Sequence, residues 1–239
     1  MSSWSLKRDP KEPQGRSVSM LSRVLSAVII LSLPVVLLLL NVRLLMNDWF
    51  IRLEYARPDF PPDLYGMSPA ERLELALTGL RSVTQPPGAS ILREVRFADG
   101  RPAFNEREIR HMQDVYVLQG IAFRVGLILA LALIGAWACL WFSPATRPMA
   151  WQSLNRGGLL TLGLVLGILL GFLLSFDTAF TLFHRLFFEG DTWLFLPTDT
   201  LIRLYPEKFW FDAAVWIGGL TLLEALFLIL FARWRLALG

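Results

Sequence analysis

Four long runs of apolar residues alternate with polar stretches, at residues 24–46, 117–142, 157–176 and 213–231. Each has about the 20 residues an α-helix needs to cross a hydrocarbon core, where no water can satisfy exposed backbone groups. With their flanking turns they predict membrane spans at 21–46, 117–142, 157–186 and 213–232. The expected fold class is an α-helical integral membrane protein with four transmembrane helices. Pro34 falls inside the first run and predicts a kink, which membrane helices tolerate. That run is longer than the roughly 7–15 residues of a signal-peptide core, and no A-x-A site follows it, so it reads as an uncleaved anchor.

The polar stretches divide the rest of the chain. Residues 1–20 carry few apolar groups and are expected to be a disordered tail. Residues 47–116 are long enough to fold, and a small mixed α/β insert is expected there. Ser68-Pro69-Ala70-Glu71 combines a capping serine, a first-turn proline and a glutamate three residues after the cap, so it opens a helix that ends before Pro86-Pro87-Gly88. The alternation over 91–97, the Asp99-Gly100 turn and residues 101–104 predict a hairpin. Asn105 and Glu108 form a second capping signal, from which one helix continues into the second span. Residues 143–156 are a short loop and 233–239 a short tail. Residues 187–212 form a loop rich in Phe, Trp and Tyr, suited to the headgroup region, where an apolar ring and a polar tip are both satisfied.

Charge sets the expected orientation. Lys7, Arg8, Lys11, Arg16 and Arg23 precede the first span, Arg147 and Arg156 lie in the short loop, and Arg233 and Arg235 follow the last span. Lys and Arg in short loops mark the cytoplasmic side, so both termini are expected inside. The insert and the aromatic loop are then extracytoplasmic. The net charge of +3 comes from residues flanking spans rather than from a basic face on a soluble fold, which argues against nucleic acid. The hydrophobic fraction of 54% exceeds the roughly 45–50% of soluble domains. A single cysteine, Cys139, excludes an intramolecular disulfide.

Chemistry is concentrated in the two histidines. His111 lies on the helix leading into the second span, with Glu108 three residues before it and Asp114 three after. His184 lies just beyond the apolar run of the third span, on what is expected to be the same helix, with Asp177 seven residues earlier on the same face. The two rings come from different helices at similar depth on one side of the membrane. Paired with carboxylates that can fix a tautomer, they suit proton transfer near neutral pH. Glu-x-x-His occurs once and H-E-x-x-H not at all, so no metal is expected. No G-x-S-x-G elbow is present, and Ser175 is read as bonding the backbone one turn back. Of the ionisable residues near the spans, Arg124 and Asp177 are expected to pair, and Glu224 to hydrogen-bond inside the bundle.

Glu108-Ile109-Arg110-His111-Met112-Gln113-Asp114-Val115 resembles the E-x-x-H-M-x-D-V segment of a bacterial membrane family that includes the lipoprotein intramolecular transacylases, Lit. Phe183-His184-Arg185-Leu186-Phe187-Phe188, then Trp193, Asp199, Ile202, Pro206-Glu207 and Phe209, resemble its second signature. The likeness covers the four-span layout and both outer motifs. It implies an acyltransferase of the bacterial cytoplasmic (inner) membrane with its active face outside, acting on a diacylglyceryl-modified lipoprotein in contact with membrane lipid. The sn-2 acyl chain would move to the α-amino group of the modified cysteine without a cofactor. On this reading His111 is the base, oriented by Glu108 or Asp114, and His184 stabilises the oxyanion or protonates the departing glycerol oxygen; which histidine does which stays open. Trp193, Asp199, Phe187, Phe188, Arg124 and Asp177 are the expected substrate-binding residues. A non-catalytic membrane subunit with a partner-binding insert and a lipid hydrolase are the alternatives.

Overall fold

The structure, a computed structural model, describes residues 19–238; residues 1–18 of the expected tail and Gly239 lie outside them. In chain order the helices are α1 Met20–Leu45, α2 Asp48–Tyr55, α3 Pro69–Thr84, a 3-10 segment Gly88–Glu94, α4 Glu106–Phe142, α5 Arg147–Leu174, α6 Phe176–Phe187, α7 Thr200–Leu204 and α8 Glu207–Ala237. Four of them, α1, α4, α5 and α8, are long and apolar enough to cross a membrane.

Local chemistry accounts for the helix starts. Ser19 and Ser68 accept from the backbone N–H three residues on, at Ser22 and Glu71, and Pro69 occupies the first turn of α3. Asn105 and Glu108 form a reciprocal capping box at α4, each side chain satisfying a backbone donor that would otherwise be unpaired. α4 then runs without interruption through its apolar stretch. α1 likewise continues through the buried Pro34.

The bundle packs α5 on α8 and α1 on α4 and α5. With lipid as apolar as the side chains, such helices gain from close approach rather than from water exclusion. A Cβ on Gly158 would stand 2.6 Å from Ile229 Cγ1 and 3.1 Å from the Ala225 carbonyl, so α5 meets α8 nearly backbone to side chain there. Within the same bundle Asn41 donates to Glu224 at 2.8 Å and to Thr221 at 3.1 Å. The bundle-interior hydrogen bond expected for Glu224 is therefore present, and its partner is on α1.

Two sequence expectations need correction. The insert is helical: among the described residues there is no strand, only an isolated antiparallel bridge between Arg96 and Pro102. The Asp99-Gly100 turn does form, with Phe97 N–H bonding the Arg101 carbonyl and Ala103 N–H bonding the Val95 carbonyl. Val95 N–H instead bonds the Leu92 carbonyl and Arg101 N–H the Asp99 carboxylate, so neither bond is returned and the ladder stops there. Residues Ala89 and Leu92 instead bury at a spacing of three, which fits a 3-10 turn. The third span is also not one helix. α5 ends at Leu174, Ser175 adopts an extended conformation, and its hydroxyl accepts from Thr178 N–H to cap a separate helix, α6. The Ser175 hydroxyl is thus a cap; the bond to the turn behind it, at the Gly171 carbonyl, comes from the backbone N–H instead.

The insert is tied to α7 and the start of α8 by charge. Arg203 pairs with Asp63 at 2.8 Å, and Lys208 reaches both Asp59 at 2.9 Å and Asp212 at 2.8 Å. Glu54 is fully buried beside this cluster, with its nearest cation, Arg57, at 3.9 Å. Burial, and next the neighbouring Asp212 carboxylate, push the Glu54 carboxyl from its ordinary 4.5 up to about 7. The folded state therefore keeps a proton that the unfolded chain has lost above 4.5. This contribution to stability is fully present below 4.5 and disappears as pH rises through 7. Glu54→Gln, neutral at every pH, is expected to hold its Tm between pH 5 and 8 while the wild type declines. Parallel thermal profiles of the two proteins over that range would contradict this.

Candidate functional site

His111 lies near the start of α4, before the apolar stretch of that helix, and His184 lies on the last turn of α6. Their ring centroids are 6.1 Å apart and nearly parallel, with an interplanar angle of 25°. Both are buried, at 8% and 9% exposure, and the walls around them are aromatic. Phe188 is 5.0 Å from His111 and 5.6 Å from His184. Phe195 packs edge-on against His111 at 5.4 Å, Trp193 lies 5.0 Å from His184, and Phe180 lies 4.0 Å from His184.

The hydrogen bonds of the two rings differ. His184 Nδ1 lies 2.8 Å from the Phe180 carbonyl oxygen, one turn back on α6. A carbonyl only accepts, so Nδ1 carries the proton and, in the neutral ring, Nε2 holds the free lone pair. His111 Nδ1 is buried and has no hydrogen-bond partner among the described residues. Burial lowers the pKa of both rings below the ordinary histidine value. His184 adds to the effect at His111, whereas the Phe180 carbonyl opposes it at His184. Both rings are therefore neutral at pH 7, one with its tautomer fixed by the backbone.

The carboxylates are placed otherwise than the spacing suggested. Glu108 is 1% exposed and does not bond His111. Its Oε2 accepts from Asn105 N–H at 2.8 Å and its Oε1 from Leu201 N–H at 2.7 Å. It thus joins the start of α4 to α7. Burial raises the Glu108 pKa, and the two backbone N–H groups oppose that shift. Asp114 is exposed and makes no hydrogen bond among the described residues. A spacing of three puts side chains on neighbouring positions, but a buried carboxylate follows the unpaired N–H groups of a helix end.

The remaining expected residues divide. Phe188 and Trp193 stand against the histidines. Asp199 is one step removed: it accepts from Asn105 Nδ2 at 3.1 Å and from Leu196 N–H at 2.8 Å, pinning the loop that carries Trp193 and Phe195. Phe187 packs on Phe183 at 5.0 Å on the exposed side of α6. Arg124 and Asp177 do not pair. Arg124 turns back to the Gly120 carbonyl at 2.9 Å. Asp177 sits on the first turn of α6, in an open cleft with Thr178, Thr181 and Arg185 rather than beside His184. Both lie on α6, but two helical turns, about 10 Å of rise, separate them.

Two contributors were not singled out from sequence. Phe195 was read as part of an interfacial belt. Phe180 lies four residues before His184, a spacing at which a side chain can bond a carbonyl one turn back. No group of three His, Cys, Asp or Glu among the described residues could hold a metal ion. The arrangement offers two neutral imidazoles in an apolar box, able to accept a proton on one ring and to donate one from the other.

Comparison with known proteins bears on what the box does. A family described as "Lipoprotein intramolecular transacylase Lit" matches residues 27–210. An uncharacterized protein of Aquifex aeolicus (strain VF5) is 33% identical over 209 residues, covering 87% of this chain and 93% of its own length. Among solved structures, the in meso structure of the membrane integral lipoprotein intramolecular transacylase Lit from Bacillus cereus superposes with a TM-score of 0.69 at 20% identity, over 89% of this chain and 94% of that one. A variant of the same Bacillus cereus protein with one histidine replaced by alanine superposes with a TM-score of 0.53 at 18% identity, over 89% and 92%. These structural likenesses show a shared fold.

Proposed function

The chain belongs to the lipoprotein intramolecular transacylase (Lit) family, a family of membrane acyltransferases, and from that premise we propose that it moves the sn-2 acyl chain of a diacylglyceryl-cysteine lipoprotein to the α-amino group of the same cysteine. The observation that carries the mechanism is the pair of buried, neutral rings 6.1 Å apart, one with its tautomer fixed by a carbonyl.

Nucleophile and ester belong to one molecule, so no activated serine and no cofactor is required, and orientation removes much of the barrier. The amine nitrogen attacks the sn-2 ester carbonyl carbon. His184 Nε2, the free lone pair, takes the amine proton. His111 supplies an N–H to the developing oxyanion or to the departing glycerol oxygen. A C–N bond forms, a C–O bond breaks, and the amine proton passes from His184 Nε2 to the departing glycerol oxygen while His111 only donates a hydrogen bond, so substrate and product have one mass. The lone pair held by His184 favours that ring as base, and the aromatic walls keep water from competing with the amine.

The substrate's lipid and peptide parts have separate routes. α6 exposes Leu182, Phe183, Leu186 and Phe187 beside His184, a surface suited to acyl chains arriving from the bilayer. Arg147, Arg156, Arg233 and Arg235 cluster at the opposite end of the bundle, which supports an inner-membrane orientation with the histidines on the extracytoplasmic face.

Tandem mass spectrometry of lipoprotein N-terminal peptides tests the reading in bacteria expressing the chain. An N-acyl, lyso-glyceryl peptide is expected, and its absence would overturn the proposal.

A further inference from the structure

The segment that carries Trp193 has two faces. Trp193 turns toward His184, whereas Asp191, Thr192 and Leu194 line an open cleft of about 460 Å³ together with Arg107 and Arg110 of α4. The two arginines are one helical turn apart, and Arg110 directly precedes His111. Arg107 donates one N–H to the Leu194 carbonyl at 3.1 Å, leaving its other donors unused. Arg110 is exposed and has no hydrogen bond or ion pair among the described residues. Thr192 Oγ1 is buried without a partner among the described residues. Asp191 is the one carboxylate lining the cleft, so the two guanidiniums leave it net positive.

Nothing in the acyl-transfer chemistry uses this cleft, yet it shares a wall with the histidine box. We infer that it receives the polypeptide that follows the lipidated cysteine and selects for an acidic side chain there. The inference rests on the transacylase reading, which puts the cysteine α-amino group at the histidines and the acyl chains along α6. The polypeptide must leave the cysteine away from the lipid, and the cleft opens on the polar side of α4. An extended chain advances about 3.5 Å per residue, so the residues that reach it are those immediately after the cysteine. A planar guanidinium pair suits a carboxylate.

The test uses synthetic diacylglyceryl-cysteine peptides, N-acetylated so that they cannot react, with Asp, Asn or Lys at the two positions after the cysteine. Binding is measured to the purified full-length protein in nanodiscs of neutral phosphatidylcholine. The Asp peptide is expected to bind about tenfold more tightly than the Lys peptide, with a preference that shrinks at high salt. Arg110→Glu is expected to reverse the order, and Arg107→Gln to weaken it. With free-amine peptides the same changes are expected in KM rather than kcat. Equal binding of the three peptides, or an unchanged order in Arg110→Glu, would overturn the inference. So would displacement of the Asp peptide by short-chain phosphatidylglycerol, since the cleft would then be a lipid headgroup site. A charge preference in binding without acyl transfer from any free-amine peptide would uphold the cleft and overturn the transacylase reading.

Discussion

His184→Ala is expected to lower the rate of acyl transfer at least a hundredfold, because it removes the one ring whose free lone pair is fixed by the fold. General acid–base groups contribute typically about 10²–10⁴ in rate. His111→Ala is expected to fall in the same range, since the oxyanion or leaving oxygen loses its donor. The double variant is expected to be little worse than either single one, as residues acting on one proton path lose activity together. His184→Asn separates the roles: its side-chain amide can still donate a hydrogen bond to the Phe180 carbonyl, but it supplies no base. It is expected to fold and to be as inactive as His184→Ala. Rates within threefold of wild type for either alanine variant would remove the pair from the chemistry.

The second large effect is expected at Glu108, and on stability before activity. Its carboxylate accepts from Asn105 N–H and Leu201 N–H in a site 1% exposed. Glu108→Ala leaves both donors unpaired and deletes half of a capping box. A buried unsatisfied donor costs about 1–3 kcal/mol and a lost cap about 0.5–2 kcal/mol, so a loss of roughly 2–4 kcal/mol is expected, seen as a lower Tm in detergent. Glu108→Gln, whose amide oxygen satisfies one donor while its NH₂ opposes the other, is expected to lie between. Activity should fall with stability as the 188–200 loop shifts away from the histidines. If Glu108 instead oriented His111, Glu108→Ala would lose activity at an unchanged Tm.

These two sites show how far the sequence could be read. The four apolar runs, the caps at Ser68 and Asn105 and the two histidines were legible because each follows from a local rule: length against a bilayer, an oxygen for unpaired N–H groups, a titratable group flanking an apolar run. The pairing of His111 with His184 was readable from their common depth. What the carboxylates do was not, because the partner of Glu108 lies 93 residues away, at Leu201, and helical spacing speaks only of neighbours on one helix. Ser175 was misread for a related reason. In a run this apolar, hydropathy continues across a helix break, and the capping geometry that ends α5 and starts α6 leaves no mark on the average. The hairpin failed because Val95 N–H closes the 3-10 turn on the Leu92 carbonyl and Arg101 N–H turns to the Asp99 side chain, local bonds that compete with the alternation around them. The Phe180 carbonyl that fixes the His184 tautomer is main chain, so no side-chain pattern announces it.

The central claim, acyl transfer within one substrate molecule, is tested most directly by a crossover experiment. Two diacylglyceryl-cysteine peptides of different sequence, one with a deuterated sn-2 chain, are mixed with the purified protein in nanodiscs and followed by tandem mass spectrometry. The account predicts that each product keeps the mass of its parent, with its own sn-2 chain on its own amine and no label on the other peptide. Deuterated acyl chain on the unlabelled peptide, or labelled free fatty acid with unmodified amines, would contradict it.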